Sequence, residues 1–264
     1  MKTKKILLII IVLILVLVAG NFLTPYDPNE MKVEQRLQSP SYAHILGTDN
    51  LGRDIFSRIL QGAGATLLIA ICTVALGLSV GLVIGGITGY FGGILDELLM
   101  RINDSILAFP NILLALVIIA IIGPGKYNII IALSIIFIPS FAYITRTEVA
   151  RQKNTDYVRN ARLMGASNAR ILFVHIFPNI LPVLLSTMTI SFNNAVLAEA
   201  SMSFLGVGVQ PPDPSLGRML SESQSFLSRA PWYALSTGCA IIVLILSFTI
   251  LSNELKGSAD AYSK

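Results

Sequence analysis

Charge is what this chain has least of. Asp, Glu, Lys and Arg together make up 13% of its 264 residues and hydrophobic residues 54%, whereas an ordinary soluble domain is about 25% charged. From Ile59 to Leu95 no residue is charged, and a bilayer-crossing helix needs about 20 mostly apolar residues in a row. That combination rules out an ordinary soluble fold. The apolar runs show no period-two alternation, which rules out a transmembrane β-barrel. Cysteine is nearly missing: Cys72 and Cys239 both lie inside apolar runs and read as small buried residues, not as a disulfide or a metal pair. The two histidines, His44 and His175, stand alone, so no Cys/His cluster points to a structural metal. No G-x-x-x-x-G-K-[ST] phosphate loop occurs, and the glycine-rich run Gly85 to Gly93 lacks the lysine that would reach phosphates. No nucleophile and base are paired in sequence. An enzyme reading therefore has little support, and ATP hydrolysis by this chain alone is not expected.

What remains is a polytopic all-α membrane protein. Six apolar segments are expected, at about 6–23, 66–90, 104–123, 127–145, 180–206 and 232–252. The first follows a basic head, MKTKK, as a secretory signal would, but it lacks a small-x-small cleavage pattern and ends at Asn-Phe-Leu-Thr-Pro, a helix stop. Lys2, Lys4 and Lys5 place the N-terminus in the cytoplasm, and six crossings return the C-terminus to the same side. Residues 24–65 then lie outside with four basic and five acidic residues, and residues 146–179 inside with six basic and two acidic. The segment Asp96, Glu97, Arg101, Asp104 is acidic on balance and is a weak exception. The chain divides into 1–65, a first helix plus an extracytoplasmic segment, and 66–264, a five-helix core carrying a cytoplasmic loop at 146–179. The net charge of +4 is thus mainly a topology signal and does not call for nucleic acid.

Gly77, Gly81, Gly85 and Gly89 recur every four residues. That spacing keeps them on one helix face, where another backbone can come close. Pro110 and Pro139 each favour a kink or a helix start within their apolar runs. Asn193, Asn194 and Glu199 are polar residues in the fifth run. An acid at membrane depth usually faces a cavity or a partner, so all three are candidates for a translocation path; alternatively, Glu199 sits at the outer helix end near water.

The stretch YVRNARLMGASNARILFVHIFPN, Tyr157 to Asn179, is expected to form a basic amphipathic helix with Arg159, Arg162 and Arg170 on one side and Val158, Ala161, Gly165 and Leu172 opposite. Asn154, Thr155 or Asp156 would cap it. A helix on anionic lipid, a solvated hairpin and a docking element all fit. The small residues Ala161, Gly165, Ala166 and Ser167 favour the approach of another protein surface.

This stretch resembles the EAA loop of ABC importer permeases. The family glycine falls on Gly165 and the last proline on Pro178; the E-A-A positions fall on Arg159, Asn160 and Ala161. Arginine in the first place is usual in the peptide/nickel branch, and Asn160 departs from it. Leu46 to Leu60 (LGTDNLGRDIFSRIL), Asp96 to Pro110 and Glu199 to Pro212 (EASMSFLGVGVQPP) resemble the same branch. The likeness spans nearly the whole chain, to the dipeptide/oligopeptide/nickel type of permease, with the type I importer fold.

The resemblance implies half of a pore in a bacterial or archaeal cell membrane, completed by a second, homologous permease. Two ATP-binding subunits, which carry the ATP and Mg²⁺, would drive it, and an extracytoplasmic binding protein would deliver peptides, nickel or metal chelates. Arg159, Asn160, Ala161, Arg162, Gly165 and Ala166 would lie at the ATPase contact, with Arg159 and Arg162 also free to meet lipid headgroups. Asp49, Arg53 and Asp54 would pair within a folded cap or form a surface for the binding protein. The rival readings are a self-contained secondary transporter or channel, which would need internal ion sites, and a membrane-embedded assembly subunit.

Overall fold

The computed structural model describes residues 24–262, with side chains to residue 250. The expected first span, 6–23, lies outside the described residues. All regular structure among the described residues is helical apart from an isolated bridge, Thr48 to Asp54. Four helices are long and apolar enough to cross a membrane, or five if a bent pair counts as one span.

Helix α1, Ile55–Phe91, starts where the Asp54 carboxylate accepts the Ser57 N–H and stops at Gly92, whose φ is +69°. Its 37 residues span about 55 Å at 1.5 Å per residue, well beyond a hydrocarbon core of about 30 Å. The helix begins at Ile55 rather than 66, so the expected division at residue 65 falls inside it. The extra turns contain Arg58, whose charge is held by acids of the neighbouring cap, as described below.

Helix α2, Gly93–Leu107, and helix α3, Asn111–Ile122, meet at 93°. The expected single span 104–123 is therefore broken. Pro110 has no N–H to give and keeps its predecessor out of helical geometry, so it serves as the N-cap of α3. Helix α4, Lys126–Gln152, carries Pro139 inside one continuous helix. It packs along α1 through the glycine row. A Cβ on Gly81 would lie 2.5 Å from the Phe141 Cβ, and one on Gly89 would lie 2.6 Å from the Arg146 carbonyl oxygen. The row thus lets two backbones touch. Arg146 then holds Asp96 of α2 in a two-pronged pair at 2.5 and 2.6 Å.

The stretch 157–179 is not one helix. Helix α5, Asp156–Leu163, ends after two turns, and helix α6, Asn168–Phe204, begins separately. Thr155 is the N-cap of α5. Arg170 consequently belongs to a different helix from Arg159 and Arg162. α6 passes through a π-helical turn, Ile171–Ile176. Pro178 cannot donate within a helix, and a wider turn just before a proline relieves its clash with the preceding turn; the Asn179 side chain donates to the His175 carbonyl at 2.6 Å. Helix α7, Leu216–Ser223, is short and amphipathic, and helix α8, Pro231–Tyr262, is the last. Cys72 is half-buried and Cys239 is exposed on α8, not buried as expected, because much of α8 faces outward.

The connections gather at two ends. Residues 26–58 and 205–232 meet at one, the cap end; residues 89–110 and 146–178 meet at the other, the loop end. The main apolar core lies between α1, α3, α4, α6 and α8. A second cluster, including Tyr90, Val149, Val158, Ile171 and Ile176, lies at the loop end.

Candidate functional site

At the loop end, the break between α5 and α6 follows from hydrogen bonding. Gly165 N–H donates to the Arg162 carbonyl at 3.0 Å and Ala166 N–H to the Ala161 carbonyl at 3.1 Å. This pair of bonds is the Schellman ending, which needs a left-handed residue after the helix. Gly165 supplies it with φ +80°. Ala161 and Ala166 pack against the apolar cluster beneath. The tip is left projecting: Leu163 is 85% exposed and Met164 88%. A Cβ on Gly165 would meet nothing within 4 Å.

Arg159 and Asn160 are exposed on α5, and Arg159 lies 3.8 Å from the exposed Asp156, too loose a pair to fix either side chain. Arg162 is exposed as well. Its Nη2 donates to the hydroxyl of Tyr90, in the last turn of α1, at 3.2 Å. The sequence reading missed Leu163, Met164 and Tyr90. Two adjacent large apolar residues immediately before a helix-ending glycine were a readable sign of the first two; Tyr90 is distant in sequence and gave none.

Between α3, α4 and α6 lies a cavity of about 650 Å³. Thr187, Ser191, Asn194 and Ser201 reach it from one face of α6, joined by Ser140 of α4, and among the described residues no charged side chain lines it. These α6 positions recur at three- and four-residue intervals, one helical face. Asn194 is on that face, whereas Asn193 and Glu199 are not. Asn193 instead donates through Nδ2 to Thr249 Oγ1 on α8 at 2.9 Å. Glu199 is fully buried, away from the cavity and from water. It accepts the Thr66 hydroxyl at 2.7 Å and the Ser203 hydroxyl at 2.6 Å, and Ser203 Oγ accepts the Val209 N–H at 3.1 Å. The acid thus fastens α1, the end of α6 and the following loop together. Of the three polar candidates in this run only Asn194 lines this cavity, since helical phase, not polarity, decides which residues face it.

At the cap end, Asp49 is fully buried. It accepts the N–H groups of Leu51 and Arg53 at 2.8 and 2.9 Å and the Arg53 Nε–H at 2.6 Å. Arg53 also donates to Glu222 of α7 at 3.2 Å. Arg58, 1% exposed, lies 3.6 Å from Asp49 and 3.8 Å from Glu222, and its Nη1 donates to the Pro28 carbonyl at 3.1 Å. Asp54 holds His44 at 2.8 Å as well as capping α1. Burying charges is tolerable only with such mutual pairing. Asp49, Arg53 and Asp54 are thereby turned inward. Arg58 and Glu222 complete the cluster and were not singled out from sequence; Glu222 lies 169 positions from Arg53. Among the described residues, no group of three or more His, Cys, Asp or Glu side chains is placed to hold a metal ion.

Comparison with known proteins agrees with this geometry. Residues 81–255 match the family model described as "Binding-protein-dependent transport system inner membrane component". The dipeptide transport system permease protein DppC of Haemophilus influenzae is 36% identical over 260 residues, covering 96% of this chain and 88% of its own. DppC of Alkalihalophilus pseudofirmus is 39% identical, with 98% of this chain and 85% of its own covered. The glutathione transport system permease protein GsiD of Pectobacterium atrosepticum is 40% identical, with 91% and 80% covered. Among solved structures, the inward-facing MetNI methionine ABC transporter superposes with a TM-score of 0.65 at 19% identity, over 77% of this chain and 97% of that one; at that identity the likeness is one of fold, that of an ABC importer permease. A family match over most of the chain, with relatives aligned along nearly all of it, makes this protein a multi-pass membrane member of the binding-protein-dependent transport system inner membrane components.

Proposed function

We propose that the chain is the permease subunit of an ATP-driven importer of short peptides. It forms half of the translocation path, beside a second, homologous permease, and is driven by two separate ATPase subunits. The cap end faces outward, where a binding protein delivers cargo; the loop end faces the cytoplasm. Six spans, with residues 6–23 the first, return both termini to the cytoplasmic side of a bacterial membrane.

The observation that carries this reading is the projecting tip Leu163–Met164–Gly165. Two large apolar side chains stand almost fully exposed on a rigid, capped turn, and exposed apolar anchors flanked by small residues are the features of a surface that seats in a partner's pocket. Arg159 and Asn160 flank that contact. Support for peptide cargo comes from the cavity, whose neutral hydroxyls and amide hydrogen-bond to peptide groups without demanding a charge. The same wall offers no cluster of metal-binding side chains, so nickel and metal chelates are the less favoured cargo. Nor does it offer the internal charged ion sites of a secondary transporter.

The test is purification from detergent of the chain expressed with its neighbouring subunits. The docking reading expects an ATPase to copurify and expects Met164→Asp to release it while the permease pair stays together. Uptake of labelled dipeptides by vesicles holding this chain alone, without an ATPase, would overturn the reading.

A further inference from the structure

We propose that Tyr90 is the positioning residue through which movement of the projecting tip reaches the wall of the cavity; the proposal rests on the reading that the tip docks an ATPase. Tyr90 is in the last turn of α1 and is buried. Its hydroxyl donates to Asn168 Oδ1 at 2.9 Å and accepts from Arg162 Nη2 at 3.2 Å. The Arg162 guanidinium also sits 5.9 Å from the Tyr90 ring centre, within reach of a cation–π attraction, and Lys153 Nζ donates to the Tyr90 carbonyl at 3.4 Å.

Arg162 and Asn168 are the residues that bracket the tip, one at the end of α5 and one at the start of α6. A single hydroxyl therefore closes the base of the loop and fixes it to α1. From there the path is stiff. Gly81, Gly85 and Gly89 put the α1 backbone against that of α4, and α4 contributes Ser140 and Phe137 to the cavity wall. A push on the tip must carry α1 and α4 with it or break the Tyr90 bonds. The apolar cluster under the loop holds Val158, Ile171, Leu172 and Ile176 around the ring, so removing the hydroxyl alone leaves the loop folded and only loosens its link.

The experiment uses the assembled complex of this chain with its partner permease, ATPases and binding protein in proteoliposomes. Cys72→Ser and Cys239→Ser clear the background, and Ser140→Cys reports on the cavity through its rate of labelling by a water-soluble maleimide. Labelling is compared without nucleotide and after trapping with ATP and vanadate. With Tyr90 intact, trapping changes the rate. With Tyr90→Phe, ATP hydrolysis and ATPase copurification persist, while the trapping effect shrinks by about fivefold or more, in keeping with the loss of two ordinary hydrogen bonds. Asn168→Leu reproduces the loss, and Asn168→Asp, which keeps the acceptor, restores the response. An undiminished trapping effect in both Tyr90→Phe and Asn168→Leu overturns the proposal while leaving the docking reading intact. Failure of the unaltered chain to retain an ATPase overturns the docking reading and this one with it.

Discussion

The backbones of α1 and α4 meet at Gly81 and Phe141, where a Cβ on the glycine would lie 2.5 Å from the Phe141 Cβ and 2.9 Å from the Ala142 nitrogen. No side-chain rotation relieves a contact with a Cβ and a backbone atom, so the helices must separate. Gly81→Ala is expected to cost about 1–3 kcal/mol, the usual range for overpacking. Gly238→Ala on α8, with no described residue within 4 Å of the added carbon, is expected to be neutral or slightly stabilising. Thermal unfolding in detergent checks both, and equal midpoints would contradict the tight contact.

Arg53 and Asp49 form a pair that is almost wholly removed from water. Removing Arg53 leaves buried Asp49 with Arg58 at 3.6 Å as its remaining charged partner, so the loss lies at or below the about 3–5 kcal/mol of a fully broken buried pair, and neutralising Asp49 as well offsets part of it. Arg53→Met should therefore reduce folded yield sharply, and Asp49→Asn combined with Arg53→Met should recover part of it. Additive losses in a double-mutant cycle would show that the two side chains act independently.

Gly165 is held at φ +80° in open space, so backbone strain and occlusion of the tip can be separated by substitution. Asparagine tolerates the left-handed region, and Gly165→Asn is expected to preserve the folded chain and most coupling. Gly165→Trp adds bulk to the tip and is expected to leave the chain inserted while uptake and ATP hydrolysis uncouple. Transport assays with a melting curve on each variant decide it; normal uptake in Gly165→Trp would remove the tip from the coupling contact.

Glu199 accepts two hydroxyl hydrogen bonds while fully buried. Glu199→Gln keeps one acceptor and the shape, and the hydroxyls of Thr66 and Ser203 can reorient towards it. Glu199→Ala leaves both hydroxyls unpaired, each costing about 1–3 kcal/mol, and adds a cavity. A large fall in unfolding temperature for Ala and a small one for Gln is expected. An equally large fall for both would point to a role for the charge itself.

Much of the architecture was legible because it follows from local rules. The glycine row at four-residue spacing marked a contact face, and α4 lies against it. The apolar runs marked α4, α6 and α8; α4 and α8 extend beyond the expected limits at both ends, whereas α6 starts earlier, at Asn168, and stops just short, at Phe204. Pro110 marks a kink or a helix start in the sequence, but the 93° angle there depends on α2 packing on α4 through Asp96 and Arg146. The tip was misread as one long helix because the pattern of arginines and apolar residues carries on smoothly past Gly165. Only the hydrogen bonds around that glycine end the helix there. Asn193 and Glu199 were chosen for polarity; the cavity selects by helical phase, which took in Asn194 and left the other two out.

Amino-acid order alone determined that this chain crosses a membrane, that it is helical and which family motifs it carries, because hydrophobic length and short-range spacing are properties of the string itself. Tertiary structure decided that Arg162 bonds to Tyr90, that Arg53 reaches Glu222 across 169 positions, and that Glu199 is a tie between helices. Each of these depends on where distant segments meet, and in a low-dielectric interior a polar group's role is set by whichever partner is near enough to satisfy it.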